Sequence, residues 1–166
     1  MTAADLGAVA RQVIDGNVYM ALGTADEGGR PWVSPVYFAA DAYRDFYWIS
    51  SPEVAHSRNL ARRPDVSIVV FDSRAPIGAG DATAVYMTAT AAEVQPGELE
   101  RGLAVYPGPA ERGGGELTPA DVSPPAPYRL YRATVTGYSV LCRRDAGDPC
   151  ADHGLAFDHR TDVRVA

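Results

Sequence analysis

Six runs of apolar, β-branched and aromatic residues are spread along this chain, and the links between them rarely have the length or pattern of a helix. Residues 18–23 and 32–38 flank Asp26-Glu27-Gly28-Gly29-Arg30, whose glycine pair suits a hairpin turn. A second turn over residues 41–45 leads into the run 46–49. Residues 66–71, apolar enough to be buried on both faces, follow after one short helix. The run 83–94 comes after a loop marked by Pro76, Gly78 and Gly80, and 128–141 is the last. A parallel doubly wound sheet needs a crossover helix after nearly every strand, and a dinucleotide fold needs G-x-G-x-x-G at the start of such a helix. Neither pattern is present. The expected fold is therefore mainly β with flanking helices (α+β), a six-stranded antiparallel sheet closed as a barrel.

Three helices punctuate this plan. Thr2 and Asp5 are spaced as a capping box, and Leu6, Val9, Ala10, Val13 and Ile14 then recur at helical spacing until Gly16. Ser51-Pro52-Glu53 reads as a cap, a proline at the first helical position and an acid in the first turn, with Arg62-Arg63-Pro64 as the stop. Leu99, Leu103 and Tyr106 place a third helix from near Pro96. Residues 107–127 hold six prolines and are too long for a passive turn, which marks them as a lid or binding loop. The plan is one domain over 1–166, with the barrel at about 5–142 and a polar tail at 143–166.

Charge narrows the chemistry. A net charge of −6 has the wrong sign for a chain that lives on nucleic acid or an anionic membrane, so neither is an expected partner. Every one of the 15 basic residues is arginine, which excludes lysine Schiff-base chemistry and a Walker-type phosphate lysine. There is no signal-peptide pattern at the N-terminus and no run of about 20 apolar residues, so the expected location is cytoplasmic. No G-x-S-x-G marks a serine hydrolase. In the tail, Cys142, Cys150, His153 and His159 fall as C-x7-C-x2-H-x5-H, outside the paired C-x2–4-C spacing of common structural zinc sites. No metal is assigned on that spacing, and both cysteines are expected as thiols.

The segments GRPWVSPVYFAAD, FYWISSPEVAHSRNLARRPDVSIVVFD, AVYMTATAAEV and PYRLYRATVTGY, in this order, resemble the pyridoxamine 5'-phosphate oxidase-like family of FMN-binding split β-barrels, over roughly residues 5–142. The resemblance implies a homodimer with FMN in grooves at the interface. It places Val33, Ser34, Pro35 and Val36 against the flavin's pyrimidine side, with Pro35 at a sheet edge or bulge. It sets Trp48, Ile49, Ser50 and Ser51 beside the ring and ribityl chain, and aims the following helix at the phosphate. In place of the family's K-x-x-N-L pattern, this helix carries His56-Ser57-Arg58-Asn59-Leu60. An imidazole and a guanidinium there are both able to donate to phosphate oxygens. The basic strand-two segment and the Arg/Trp-rich C-terminal motif of the vitamin-B6 oxidases are missing, so pyridoxamine phosphate is not the expected substrate.

The implied activity is transfer of hydride or electrons between a reduced nicotinamide and a small organic acceptor or oxygen, with no catalytic side chain assigned. Two alternatives stand beside it. One is a deazaflavin-dependent reductase of the same fold, which would need Arg58, Arg62, Arg63, Arg129 and Arg132 to gather into a basic channel. The other is a non-catalytic flavin or haem binder.

Overall fold

Helix α1 (Ala3–Asp15) turns Leu6, Ala10 and Ile14 inward as its apolar stripe, and these side chains are 6%, 0% and 1% exposed. The computed structural model describes residues 3–74, 84–141, 149–150, 153–157 and 159–165. Thr2 of the expected capping box, Thr83 and the loop of Pro76, Gly78 and Gly80 lie outside them. After α1 come β1 (Tyr19–Ala25), β2 (Pro31–Tyr37), β3 (Ala39–Asp41), β4 (Asp45–Ser50) and α2 (Ala55–Leu60). Then follow β5 (Asp65–Phe71), β6 (Ala84–Glu93), α3 (Leu99–Val105), β7 (Arg129–Leu141) and β8 (Arg160–Asp162). The six expected strands are all present, with the three-residue β3 and β8 added to them.

Every pairing is antiparallel, in the order β2-β1-β5-β6-β7-β4-β3, with β8 on β7. Strands β2 and β3 stand at opposite ends of this path, yet only Phe38 separates them in sequence. The sheet has to curl until its two ends meet at that residue, and the result is the split barrel. Phe38 is fully buried at the join, against Phe46. Ala42 and Tyr43 take positive φ in the tight β3–β4 turn. A bulge at Thr136 gives the long β7 an extra residue opposite β6, and the Thr136 hydroxyl donates to the Thr88 carbonyl at 3.0 Å.

The barrel interior takes one residue in two from each strand. In β5, Val66, Ile68 and Val70 are buried while the residues between them face outward. The outer face of this strand is only partly covered: Val69 is half-buried in a groove with Tyr86 and Arg160, and Phe71 is 49% exposed. Its apolar outer residues therefore form a surface, and the expectation of burial on both faces does not hold.

A second, smaller cluster sits outside the barrel, where Tyr47 and Leu130 meet Leu99, Tyr106 and Val122. Gly102 lets α3 approach closely, since a Cβ there would lie 2.6 Å from Leu130 Cδ2. The proline-rich loop closes this layer with two short 3-10 turns, Ala110–Arg112 and Pro119–Val122, the second fixed by a Thr118/Asp121 capping box. The last described residues return to the barrel. Val165 packs into the main core, and the Arg11 guanidinium donates to its carbonyl at 3.1 Å. No described helix is long and apolar enough to cross a membrane.

Candidate functional site

Strand alternation divides the residues picked from sequence between two faces. Phe46 and Trp48 point into the barrel, Tyr47 and Ile49 into the outer layer, so residues 48–51 do not form one surface. The same rule separates Ser34 and Val36 from Val33 and Pro35 on β2. Val36 belongs to the core, whereas Val33 is 64% exposed and borders a groove with Pro35, Tyr19 and Phe71. Pro35 stays in regular register opposite Ala21, so it occupies a sheet edge and not a bulge.

Three of the predicted residues meet where the barrel is split. His56 Nδ1 lies 3.0 Å from Ser34 Oγ on β2, and Nε2 lies 2.8 Å from Ser50 Oγ on β4. These strands are not ladder neighbours, so the imidazole bridges the opening. Trp32 Nε1 donates to the same Ser34 hydroxyl at 3.0 Å. Burial pushes the His56 pKa below its ordinary 6.5, and a neutral ring between two hydroxyls has both nitrogens satisfied. His56 thus differs from the basic residue it replaces in the pattern: it is neutral, 8% exposed and occupied.

The rest of α2 surrounds this bridge. Asn59 donates to the Thr24 hydroxyl at 3.0 Å, which in turn donates to the Trp32 carbonyl at 3.3 Å, tying α2 to the β1–β2 hairpin. Ser57 is buried beside Tyr131, whose phenol pKa is raised by burial and pulled back by the Ser57 hydroxyl. Tyr131 stacks on the fully buried Trp48 with ring centroids 5.6 Å apart. Arg58 is exposed and donates to the Glu53 carbonyl.

The helix expected from Ser51 begins four residues later. Ser51 Oγ accepts from the Glu53 N–H at 3.2 Å and closes a turn, and Val54 occupies the cap position with no side-chain cap. The chain spends these residues crossing from β4 to the β1–β2 face, which leaves α2 only six residues long. So short a helix presents a weak dipole, and anion binding would fall to the Ser50 and Ser51 hydroxyls and Arg58.

Thr24 and Tyr131 were missed by the sequence reading. A strand threonine and a strand tyrosine carry no local signal for such contacts, and only the register brings them to α2. Of the five arginines of the channel alternative, Arg63 donates to the Glu27 carbonyl, Arg129 pairs with Glu93 and stands opposite Ser50 in the β4–β7 ladder, and Arg132 pairs with Glu98.

On the outer side, Ile49 borders a cleft of about 370 Å³ with Tyr19, Tyr37, Tyr106 and the 113–117 stretch of the loop. The Tyr37 ring meets Tyr19 and Tyr106 edge-on, at 6.0 and 5.8 Å. Burial pushes the Tyr106 phenol pKa up to about 12, so it remains a neutral donor at physiological pH.

Solved structures of similar fold include the heme binding protein from Mycobacterium smegmatis, with TM-score 0.67 and 18% identity over 98% of this chain. This chain spans 58% of that protein's length. HutZ, the heme storage protein from Vibrio cholerae, has TM-score 0.63 and 24% identity, covering 79% of this chain and 91% of its own. A Clostridium acetobutylicum protein related to general stress protein 26 of B. subtilis, of the pyridoxine phosphate oxidase family, has TM-score 0.62 and 10% identity, covering 98% and 97%. No curated protein matches the chain by sequence. These likenesses support the split-barrel fold, and the pyridoxamine 5'-phosphate oxidase family description matches residues 6–142. The chain therefore belongs to the pyridoxamine 5'-phosphate oxidase family.

Proposed function

We propose that this chain binds FMN and serves as an oxidoreductase that passes hydride or electrons between a reduced nicotinamide and a small organic acceptor or oxygen. The observation that carries the reading is the Ser34–His56–Ser50 bridge at the split of a barrel of this family. Bound FMN supplies the redox chemistry. The residues present fit such a cofactor: the Ser50 and Ser51 hydroxyls and the exposed Arg58 are donors suited to a phosphate, and Ser34 presents a hydroxyl on the adjoining edge strand. His56 positions Ser34 and Ser50 and keeps the split at a fixed width. The cleft beside Ile49 is offered for the acceptor, with the Tyr106 phenol as a hydrogen-bond donor along its wall.

A homodimer accords with the outer face of β1, β2 and β5. Tyr19, Val33 and Phe71 are 61%, 64% and 49% exposed there, and soluble monomers seldom leave large apolar side chains grouped in this way. A cytoplasmic location accords with a reduced nicotinamide as donor.

The test is the absorption spectrum of the purified chain after addition of excess FMN and desalting, with its mass by size exclusion in the same run. The expected result is a retained flavin spectrum on a dimer, weakened about tenfold in affinity or more in a Ser34→Ala/Ser50→Ala double variant. Failure to retain FMN overturns the reading. Retention of haem instead, which two of the structural neighbours bind or store by name, or of a deazaflavin, would replace it.

A further inference from the structure

We propose that Cys150, His153 and His159 form a binding site for Zn²⁺, separate from the barrel split. Their ligand atoms all lie within 4.8 Å of one another. His153 Nδ1 is 3.4 Å from Cys150 Sγ and 3.1 Å from His159 Nε2. A tetrahedral zinc with ordinary Zn–S and Zn–N bonds has S···N edges of about 3.6 Å and N···N edges of about 3.3 Å. These two spacings differ from those edges by about 0.2 Å, and the third edge, Cys150 Sγ to His159 Nε2, lies within 4.8 Å, so a metal is seated by side-chain movements of about 1 Å at most.

Three further observations point the same way. His159 Nδ1 lies 2.9 Å from the Phe157 carbonyl. A carbonyl only accepts, so Nδ1 holds the proton and the Nε2 lone pair is turned toward His153. This backbone-carbonyl contact is the one that commonly orients a metal-bound imidazole. Next, the loop is folded back on itself: the Cys150 N–H donates to the Leu155 carbonyl at 2.8 Å, and the Cys150 carbonyl accepts from Gly154 at 2.7 Å. Gly154 takes a left-handed φ of 66° there, which returns His153 toward the sulfur. Finally, both ends of the cluster are anchored. Cys150 is 2% exposed, and His159 immediately precedes β8, which is paired to β7. The spacing Cys-x2-His-x5-His alone does not predict this, because the β8 pairing is what brings the third ligand round.

The donor set selects the ion. One thiolate with two imidazoles suits a borderline ion such as Zn²⁺ and disfavours Mg²⁺ or Ca²⁺, which require oxygen ligands. Binding deprotonates the Cys150 thiol, so one proton passes to solvent for each zinc bound. Three protein ligands leave the fourth position to water.

The test uses the full chain, reduced and stripped of metal, with Co²⁺ as a coloured probe and Zn²⁺ as competitor. A thiolate-to-cobalt charge-transfer band and visible d–d bands at one equivalent are expected, and one equivalent of Zn²⁺ should bleach them. Cys150→Ser should abolish the charge-transfer band. His159→Gln, at a partly exposed position that spares the fold, should keep the band but weaken zinc binding at least tenfold. Failure of the wild-type chain to show the band overturns the proposal, as does an unchanged band in Cys150→Ser or unchanged zinc affinity in His159→Gln. FMN retention, read separately, does not enter any of these outcomes.

Discussion

The barrel interior and the layer over its outside are built from different materials. Inside, Leu22, Phe38, Ile68, Val70, Val85 and Val140 have no exposed surface and come from segments far apart in sequence. Outside, α3 and the 106–127 loop rest on Tyr47 and Leu130 and are fastened by a few polar links. Tyr37 donates to the Pro107 carbonyl and Arg112 to the carbonyls of Phe38 and Asp15, while the Thr118 hydroxyl, donating to Asp121, braces the loop internally. An apolar interior shared by strands β1 to β7 opens only with global unfolding, whereas a cover held at separable points has its own, lower opening free energy. That cover also borders the Ile49 cleft, so access and stability are assigned to different parts of the molecule.

The sharpest contrast is between two truncations. Ile68→Ala, at 0% exposure, should cost about 2–5 kcal/mol, seen as a fall in Tm of roughly 5–15 °C. Val122→Ala in the cover should cost only about 1–2 kcal/mol, and its main sign should be faster amide exchange over 107–127. Equal losses of Tm with unchanged loop exchange would show that the two regions open as one unit.

The His56 bridge supplies a pH test of intermediate size. Its folded pKa is lowered by burial, so the stability it contributes is present above the ordinary value of 6.5 and lost as pH falls through the lower, folded value. Thermal melts should therefore drop as pH is taken below 6.5, and His56→Gln should flatten that slope. An identical slope in the variant would assign the acid sensitivity elsewhere.

The smallest effect belongs to Asp121, whose pKa is held low first by the Thr118 hydroxyl and then by the Thr118 N–H. Its contribution is present above the ordinary 3.8 and lost as pH falls through the folded value. Limited proteolysis within 107–127 should rise at that acid limit, and Asp121→Ala should raise it at neutral pH while removing the acid dependence. Cleavage that ignores both changes would remove the capping box from the account of how the loop is held.

The six long strands and α1 were readable because period-2 and period-3.6 burial leave direct traces in sequence, as in Val66, Ile68 and Val70. β3 and β8 were not, since three residues carry too little pattern, and both exist by virtue of the ladders they join. The start of α2 was misread because Ser51-Pro52-Glu53 satisfies the rules for a helix cap and equally those for a turn. At the site, His56 was found through the family pattern, yet its hydroxyl partners follow from the barrel's closure. That closure sets β2 opposite β4, a relation between segments that no local window contains.

The clasp between α1 and the tail has a consequence for synthesis. A Cβ on Gly7 would lie 2.4 Å from the Arg164 carbonyl oxygen, so positions nearly the whole chain apart are in direct contact. While the chain is being made, α1 emerges before the elements that cover it, and its apolar stripe must wait for β5, β6 and finally Val165 to be fully enclosed. Contacts of such long sequence separation fold slowly, and the waiting helix is the segment for which a holding chaperone would have the most time.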